Sequence, residues 1–194
     1  MSKSIVIRLP KKKLFLLLTC LLILIGLCAS ILPIQRMIYP IHFRDIVEEM
    51  ATQFDIPPSL IYAVIHTESR FDSAAVSSAN AKGLMQITDE TYLWALRRAG
   101  EEVTALNPDN LYNPEINIHT GCYILVLLSE QFDNIETVLA AYNAGQGRVN
   151  QWLQDPSCSI DGQTLIHIPY EETANYVRRV INTQKKYQTL YNIL

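Results

Sequence analysis

The chain has 194 residues and a formal net charge of −3, which leaves room for one domain and an appendage. The charge is unevenly spread, because residues 1–40 hold six basic and no acidic side chains, whereas residues 41–194 hold 10 basic and 19 acidic ones. Nucleic-acid binding needs clustered Lys and Arg, so the acidic part argues against a nucleic-acid partner. Four cysteines are too few for a disulfide scaffold, and Cys122 and Cys158 lack metal-ligand spacing.

The N-terminal region predicts a membrane anchor. Residues 1–13 carry five basic side chains and no acid, and residues 14–32 are apolar or small throughout. The second segment is long enough to cross a bilayer as a helix, and the basic residues before it place that end in the cytoplasm. We therefore expect a single-pass signal-anchor with the remaining chain outside the membrane. The alternative is a cleaved signal peptide and secretion, although signal peptides usually have a shorter apolar region.

The rest of the chain is predicted to be mainly α-helical. Residues 33–42, with two prolines, are interpreted as a linker, and residues 43–194 as one domain. Capping residues and apolar periodicity predict helices at 43–54, from Pro57-Pro58 through Phe71, from Asp89 to about Ala99, from Pro114, at Ile135–Asn143 and from Pro169 to about Tyr187. Residues 71–87 and 155–168 are predicted loops. No segment alternates with period two for long enough to predict a strand, so we expect six or seven helices around one core.

Glu68 interrupts an apolar helix face. It follows Ile61, Val64 and Ile65 at helical spacing, where the pattern would place a Leu. A buried carboxyl group holds its proton to higher pH, as a general acid must. The structural alternative is a carboxylate that simply pairs with a nearby cation. Arg70 is a poor local partner, because two residues along a helix it points to roughly the opposite side.

Four sequence blocks in order carry a more specific signal across residues 43–187. They are Glu68-Ser69-Arg70-Phe71 with Ser77 and Ala81–Ile87; Asn113–Ile118 with Gly121 and Tyr123; Ala140–Gly145 with Gly147, Val149 and Trp152; and Ile168–Thr173 with Tyr176 and Val177. Together they resemble the signatures of lytic transglycosylases, the family typified by the catalytic domain of the soluble lytic transglycosylase. The chain departs from the family in having Asn80 where a Gly is common, and Thr88–Tyr92 in place of a Met-Pro-x-Thr-Ala run.

The resemblance implies a lysozyme-like (goose-type) helical domain with a cleft for bacterial peptidoglycan glycan strands. It makes Glu68 the sole catalytic residue and implies neither a metal nor a cofactor. It also implies that five residues line the site: Ser77, Met85, Gln86, Tyr142 and Glu172. Asn143 can add hydrogen bonds to the sugar, and Tyr176 can present an aromatic ring to a sugar face.

The family's reaction explains how one carboxyl group can be enough. Glu68 would protonate the oxygen leaving C1 of N-acetylmuramic acid, while the substrate's own 2-acetamido group stabilises the developing cation. The ionised Glu68 would then take the proton from the C6 hydroxyl, which closes onto C1 to give a 1,6-anhydro end. Two alternatives remain: a muramidase that hydrolyses the same β-1,4 bond to N-acetylglucosamine, and a non-catalytic peptidoglycan-binding scaffold.

Two further questions stay open at this stage. Asp72 would share a face with Glu68 if the helix continued, but an Asp just past a helix end usually caps a turn. Cys122 is predicted to be a buried free thiol, and a Cys122–Cys158 bridge is possible outside the cell.

Overall fold

The computed structural model describes residues 11–101 and 107–193, and the chain divides into two compact units between Pro40 and Ile41. Of the basic segment predicted at residues 1–13, residues 1–10 lie outside the described residues, and Lys11, Lys12 and Lys13 form the start of α1. The helices are α1 (Lys11–Ile38), α2 (Arg44–Phe54), α3 (Pro58–Glu68), α4 (Asp89–Ala99), a 3-10 helix (Pro108–Tyr112), α5 (Pro114–Ser129), α6 (Ile135–Ala144), α7 (Gln146–Leu153) and α8 (Glu171–Tyr191).

The first unit contains one long apolar helix. Helix α1 includes the predicted span, residues 14–32, and its segment Thr19–Ile38 has a mean hydropathy of 2.0. By length and composition that segment could cross a membrane, and an N-terminal signal sequence would meet the same criteria. The prediction of a linker at residues 33–42 is wrong for its first part, because the helix continues to Ile38. Pro33 lies inside this helix and lacks the backbone N–H that a helical hydrogen bond would use.

The second unit is a helical domain built around α3. Residues Ile61–Ile65 are all buried, and α3 packs most extensively against α8. Helix α5 packs against α2 and α6, and α6 in turn packs against α7 and α8. Within the described residues the β-structure consists of two isolated bridges, Val76 with Lys82 and Lys82 with Ile87. The prediction of a mainly helical domain is therefore confirmed.

Most helix ends lie where the sequence predicts them. The Thr88 hydroxyl accepts a hydrogen bond from Thr91 N at 3.2 Å and caps α4, and the Asn113 side chain caps α5. Helix α6 ends at Ala144, and Gly145 is the C-cap at which the helix was expected to stop. Other elements differ from the prediction: the 3-10 helix and the short helix α7 were not predicted, and α8 continues beyond Tyr187 to Tyr191.

Helix α3 is shorter than its periodicity suggests, and its end matters for the site. It was expected to continue through Phe71, but it ends at Glu68. Arg70 and Phe71 adopt left-handed φ values of 53° and 68°, which turn the chain so that the Phe71 ring packs edge-on against His42 at 5.4 Å. The Ser69 hydroxyl donates to the carbonyl of Leu84 at 2.8 Å, and this bond ties the helix end to the following loop.

The structure distinguishes between the alternative roles of Asp72 and between those of Cys122. Asp72 is exposed and its Oδ1 accepts a hydrogen bond from Ala74 N at 2.9 Å, so it caps a turn and does not continue the face of Glu68. Cys122 and Cys158 are both buried free thiols, so they form no bridge in this structure.

Candidate active site

Glu68 is the last residue of α3, and its carboxyl group lies largely buried against α8. Burial raises the pKa of Glu68 from 4.5 to about 7, while a polar contact with the Tyr176 hydroxyl and the charge of Arg179 oppose that rise. Burial disfavours the ionised form, and the two opposing groups favour it. A carboxyl group with this pKa exists in both protonation states near neutral pH, which a group acting as acid and then as base requires.

Two tyrosines from different helices accompany this carboxyl group. Tyr142 of α6 donates a hydrogen bond from its hydroxyl to the carbonyl of Met85 at 2.8 Å. Tyr176 of α8 is 2% exposed, and among the described residues its hydroxyl has no hydrogen-bond partner of standard geometry. Burial and the charge of Glu68 raise the pKa of both phenols well above 10, so both remain protonated donors. Of these two donors, the Tyr176 hydroxyl is the one in polar contact with Glu68.

The loop of residues 71–87 is held by its own side chains. The Gln86 amide donates to the carbonyls of Gly83 at 2.9 Å and of Ala75 at 3.2 Å. The Ser77 hydroxyl accepts from the backbone N–H groups of Ala79 and Ala81. Both residues were predicted to contact substrate, and the structure shows that each one first shapes the loop beside Glu68.

Asn80 illustrates how the loop tolerates a departure from the family pattern. Its φ of 58° lies in the left-handed region, which Asn adopts more readily than most residues. The turn expected of the usual Gly is therefore kept in this chain.

Asn117 fixes the loop to α5, and sequence reasoning did not single it out. Its side chain is completely buried, accepts a hydrogen bond from Met85 N at 2.7 Å, and donates to the carbonyls of Lys82 and Leu111 at 3.0 and 2.8 Å. Gly83 has a φ of 73°, and a Cβ there would collide with Leu111 O and the Asn117 amide. A signal was available, since Asn117 stands on the apolar stripe of α5 four residues before Gly121 and eight before Leu125.

Two predicted substrate contacts need correction. Met85 has a completely buried side chain, so it acts through its backbone, whose carbonyl holds Tyr142. Tyr176 is too buried to offer its ring to a sugar, so its predicted stacking role is wrong, and it contributes its hydroxyl to Glu68. Asn143 and Glu172 are both exposed, on α6 and in the first turn of α8, and their contacts with a glycan stay predictions.

A cavity of about 340 Å³ adjoins this site. Tyr142 forms one part of its wall, and it is otherwise lined by Glu90, Thr91, Trp94, Ile124, Leu128, Ala141, Gly145, Gln146 and Gly147. Another cavity, of about 540 Å³, lies between residues 165–169 and α8, but it contains none of the predicted site residues. The larger cavity therefore lies apart from the predicted site, which is marked by the buried carboxyl group of Glu68. Among the described residues, no group of three His, Cys, Asp or Glu side chains could hold a metal ion.

This chain is similar to known proteins over most of its length. Residues 45–161 match the family model described as the Transglycosylase SLT domain. The soluble lytic murein transglycosylase of Escherichia coli strain K12 is 32% identical over 145 residues, which is 74% of this chain and 22% of that protein. The membrane-bound lytic murein transglycosylase C of Glaesserella parasuis is 31% identical over 177 residues, which is 77% of this chain and 46% of the relative.

Solved structures give the same result. The lytic transglycosylase Slt of Pseudomonas aeruginosa, solved as an inactive mutant, superposes on this chain with a TM-score of 0.68 at 32% identity. The match covers 79% of this chain and 25% of the Pseudomonas chain. The 70 kDa soluble lytic transglycosylase of Escherichia coli gives a TM-score of 0.69 at 28% identity.

The chain therefore has the lysozyme-like fold of these enzymes, and it belongs to the Transglycosylase SLT domain family. It spans about a quarter of the soluble relatives and less than half of the membrane-bound relative.

Proposed function

We propose that this chain is a membrane-anchored lytic transglycosylase that cuts the β-1,4 bond between N-acetylmuramic acid and N-acetylglucosamine in peptidoglycan. The observation that carries the proposal is Glu68, a largely buried carboxyl group at the end of α3 with a pKa of about 7. The family relationship supports the reaction class, since the relatives are lytic murein transglycosylases.

In the first step Glu68 acts as the acid. Burial keeps a large fraction of the carboxyl groups protonated near neutral pH, so the proton is available to the glycosidic oxygen that leaves C1. The substrate's 2-acetamido group stabilises the positive charge that develops at C1. A second enzyme carboxylate is then unnecessary, unlike in most glycoside hydrolases. Asp72, the nearest candidate in sequence, is engaged in a turn.

In the second step Glu68 acts as the base. Once ionised, it takes the proton of the C6 hydroxyl, whose oxygen closes onto C1 and forms the 1,6-anhydro ring. Tyr176 contributes here, because its hydroxyl favours the ionised form of Glu68 and limits the rise of its pKa. The carboxyl group ends the cycle protonated, so no water is consumed.

The cleft around Glu68 would bind the glycan strand mainly through polar groups. We assign direct contacts to Asn143 and Glu172, whose side chains are exposed, and to the parts of Ser77, Gln86 and Tyr142 that remain accessible. The 71–87 loop supplies two of these residues in a fixed conformation, because Ser77 and Gln86 bond its backbone. Binding by a preformed loop reduces the entropy lost when the strand binds.

Anchoring by α1 would keep the enzyme at the membrane of a bacterial cell with its domain outside the cytoplasm. The apolar segment Thr19–Ile38 and the membrane-bound relatives support association with the membrane. The basic residues before the apolar segment support the orientation, because positive charges remain on the cytoplasmic side.

Mass spectrometry of digested peptidoglycan tests the reaction. The full chain in detergent micelles should release fragments with 1,6-anhydro ends, each one water lighter than the product of hydrolysis. Products carrying the added water would identify a muramidase instead. Binding of glycan strands without any released fragment would identify a non-catalytic scaffold. Replacement of Glu68 by Gln should abolish release while binding is kept.

A further inference from the structure

We propose that Trp94 forms a sugar-binding platform, at which the indole ring packs against an N-acetylhexosamine unit of the glycan strand away from the bond that is cut. This inference rests on the proposed function, because it places the same polymer along a surface next to Glu68. The chain has two tryptophans, and they differ in setting: Trp152 is buried, whereas Trp94 is partly exposed on α4.

Tyr142 is common to the cavity at Trp94 and to the surroundings of Glu68. The Tyr142 phenol interacts electrostatically with Glu68, and the same residue lines the cavity of about 340 Å³ that Trp94 also lines. A strand bound at Glu68 would therefore extend past Tyr142 to Trp94. The volume lies at the lower end of the range of roughly 300–1,000 Å³ that is usual for small-molecule sites, which suits one sugar unit.

The wall chemistry of the cavity matches a sugar ring. Ile124, Leu128 and Ala141 make part of the lining apolar. The lining also includes the aromatic residues Trp94 and Tyr142, whose rings can pack against the C–H faces of a sugar ring. Polar groups stand among them, notably Glu90, Thr91 and Gln146, which can bond hydroxyl and acetamido groups. A mainly apolar pocket that contains a few polar groups is the usual pattern of a site for a small ligand.

The surface continues beyond Trp94. A second cavity, of about 370 Å³, is lined by Trp94 and Gln146 together with Arg98, Leu127, Glu130 and Gln131. Since Trp94 and Gln146 line both cavities, a bound strand would pass from one cavity to the other across the indole, as along one groove. A groove that continues on both sides of an aromatic ring suits a polymer better than a single small molecule.

The binding test uses the full chain carrying Glu68→Gln in detergent micelles, so that no strand is cut. The probe is peptidoglycan glycan strands stripped of their stem peptides by an amidase. Adding Trp94→Ala should raise the Kd for these strands about tenfold, as loss of a buried aromatic anchor does, and Trp94→Phe should recover most of the affinity. Arg97→Ala is the matched control, since Arg97 is an exposed residue of α4 that lines neither cavity.

A second readout does not require a Trp94 variant. Because Trp152 is buried, strand binding should protect the fluorescence of Trp94 from quenching by acrylamide. An unchanged Kd in Trp94→Ala, or quenching that strands do not alter, would overturn the inference. An effect seen only with strands that keep their peptides would also overturn it, since the groove would then bind peptide.

The two proposals fail in distinguishable ways. Strand binding that depends on Trp94, with no fragments released by the chain that retains Glu68, would leave the platform standing and reject the enzyme. Release of anhydro fragments, with strand affinity independent of Trp94, would reject only the platform.

Discussion

Two carboxyl groups of the second unit show opposite responses to their surroundings. At the end of α3, burial raises the pKa of Glu68 to about 7. In the exposed loop after α7, the backbone N–H groups of Thr164 and Gln163 lower the pKa of Asp161 to about 2, with hydrogen bonds of 2.7 and 2.8 Å. Glu68 is the last residue of α3, whereas Asp161 lies in the loop that follows the end of α7 at Leu153.

The difference lies in what faces each carboxyl group. Asp161 receives several donors while water still solvates it, so its charged form is stabilised and its function is to hold a turn. Burial removes most of the water that would solvate the Glu68 carboxylate. Tyr176 and Arg179 compensate for only part of this lost solvation, so the charged form of Glu68 is disfavoured. A group left in this state holds a proton that it can transfer, and this property separates a catalytic carboxyl group from a structural one.

The largest expected effect comes from removing the acid itself. Glu68→Gln should lower the turnover of peptidoglycan at least about a thousandfold, because the amide can neither donate the proton nor accept it in the second step. Release of anhydro fragments measures the rate. Asp72→Asn is the matched control four residues further on, and it should stay within about threefold of wild type because Asp72 only caps a turn. Equal losses in both variants would contradict the assignment.

Glu68→Gln should also change how the free energy of unfolding depends on pH. Between pH 4.5 and about 7 the unfolded chain releases the Glu68 proton while the folded chain keeps it, so the stability of the wild type falls as pH rises. The stability of Glu68→Gln relative to wild type should therefore increase by on the order of 3 kcal/mol between pH 4 and pH 8. Urea unfolding at the two pH values measures this change, and a constant difference would mean that the pKa is not raised.

Tyr176 provides a smaller and more specific test. Its hydroxyl lowers the pKa of Glu68, so Tyr176→Phe should raise that pKa further. The activity kcat/KM requires protonated Glu68 and declines above its pKa, so this decline should move to higher pH while the maximal turnover falls about tenfold. Tyr142→Phe is the control, because the Tyr142 hydroxyl donates its hydrogen bond to Met85 O and not to Glu68. It should reduce turnover without moving the decline.

Much of this site could be predicted from local sequence. Glu68 could be predicted because a carboxylate on an apolar helix stripe departs from the pattern that the neighbouring residues define. The helix caps at Thr88 and Asn113 could be predicted because their hydrogen bonds join residues two or three apart in sequence. The end of α3 was not predicted. It depends on Phe71 packing against His42 and on Ser69 bonding Leu84, which are contacts between segments distant in sequence.

The roles of the other site residues also depend on burial and on contacts between distant segments, which the local sequence does not show. The sequence places Met85, Gln86 and Tyr176 near the site, but it cannot show which atoms face the substrate. Burial leaves Met85 to act through its backbone carbonyl, and it leaves the Tyr176 hydroxyl in polar contact with Glu68. Asn117 lies outside the predicted set, because its three bonds join segments up to 35 residues apart.

Asp161 gives the smallest expected effect and completes the comparison. Asp161→Asn removes the charge that the loop's N–H groups stabilise, but the loop contains none of the predicted site residues, so turnover should change by less than about twofold. Because the folded pKa is lowered to about 2, the wild-type carboxylate stabilises the fold above its unfolded pKa, and that contribution is lost as pH falls from about 4 through 2. The Tm of wild type should thus exceed that of Asp161→Asn slightly at pH 7, with the difference vanishing near pH 2. This pH trend is opposite to that of Glu68, and finding the same trend in both variants would show that net charge, rather than each group's immediate surroundings, controls the response.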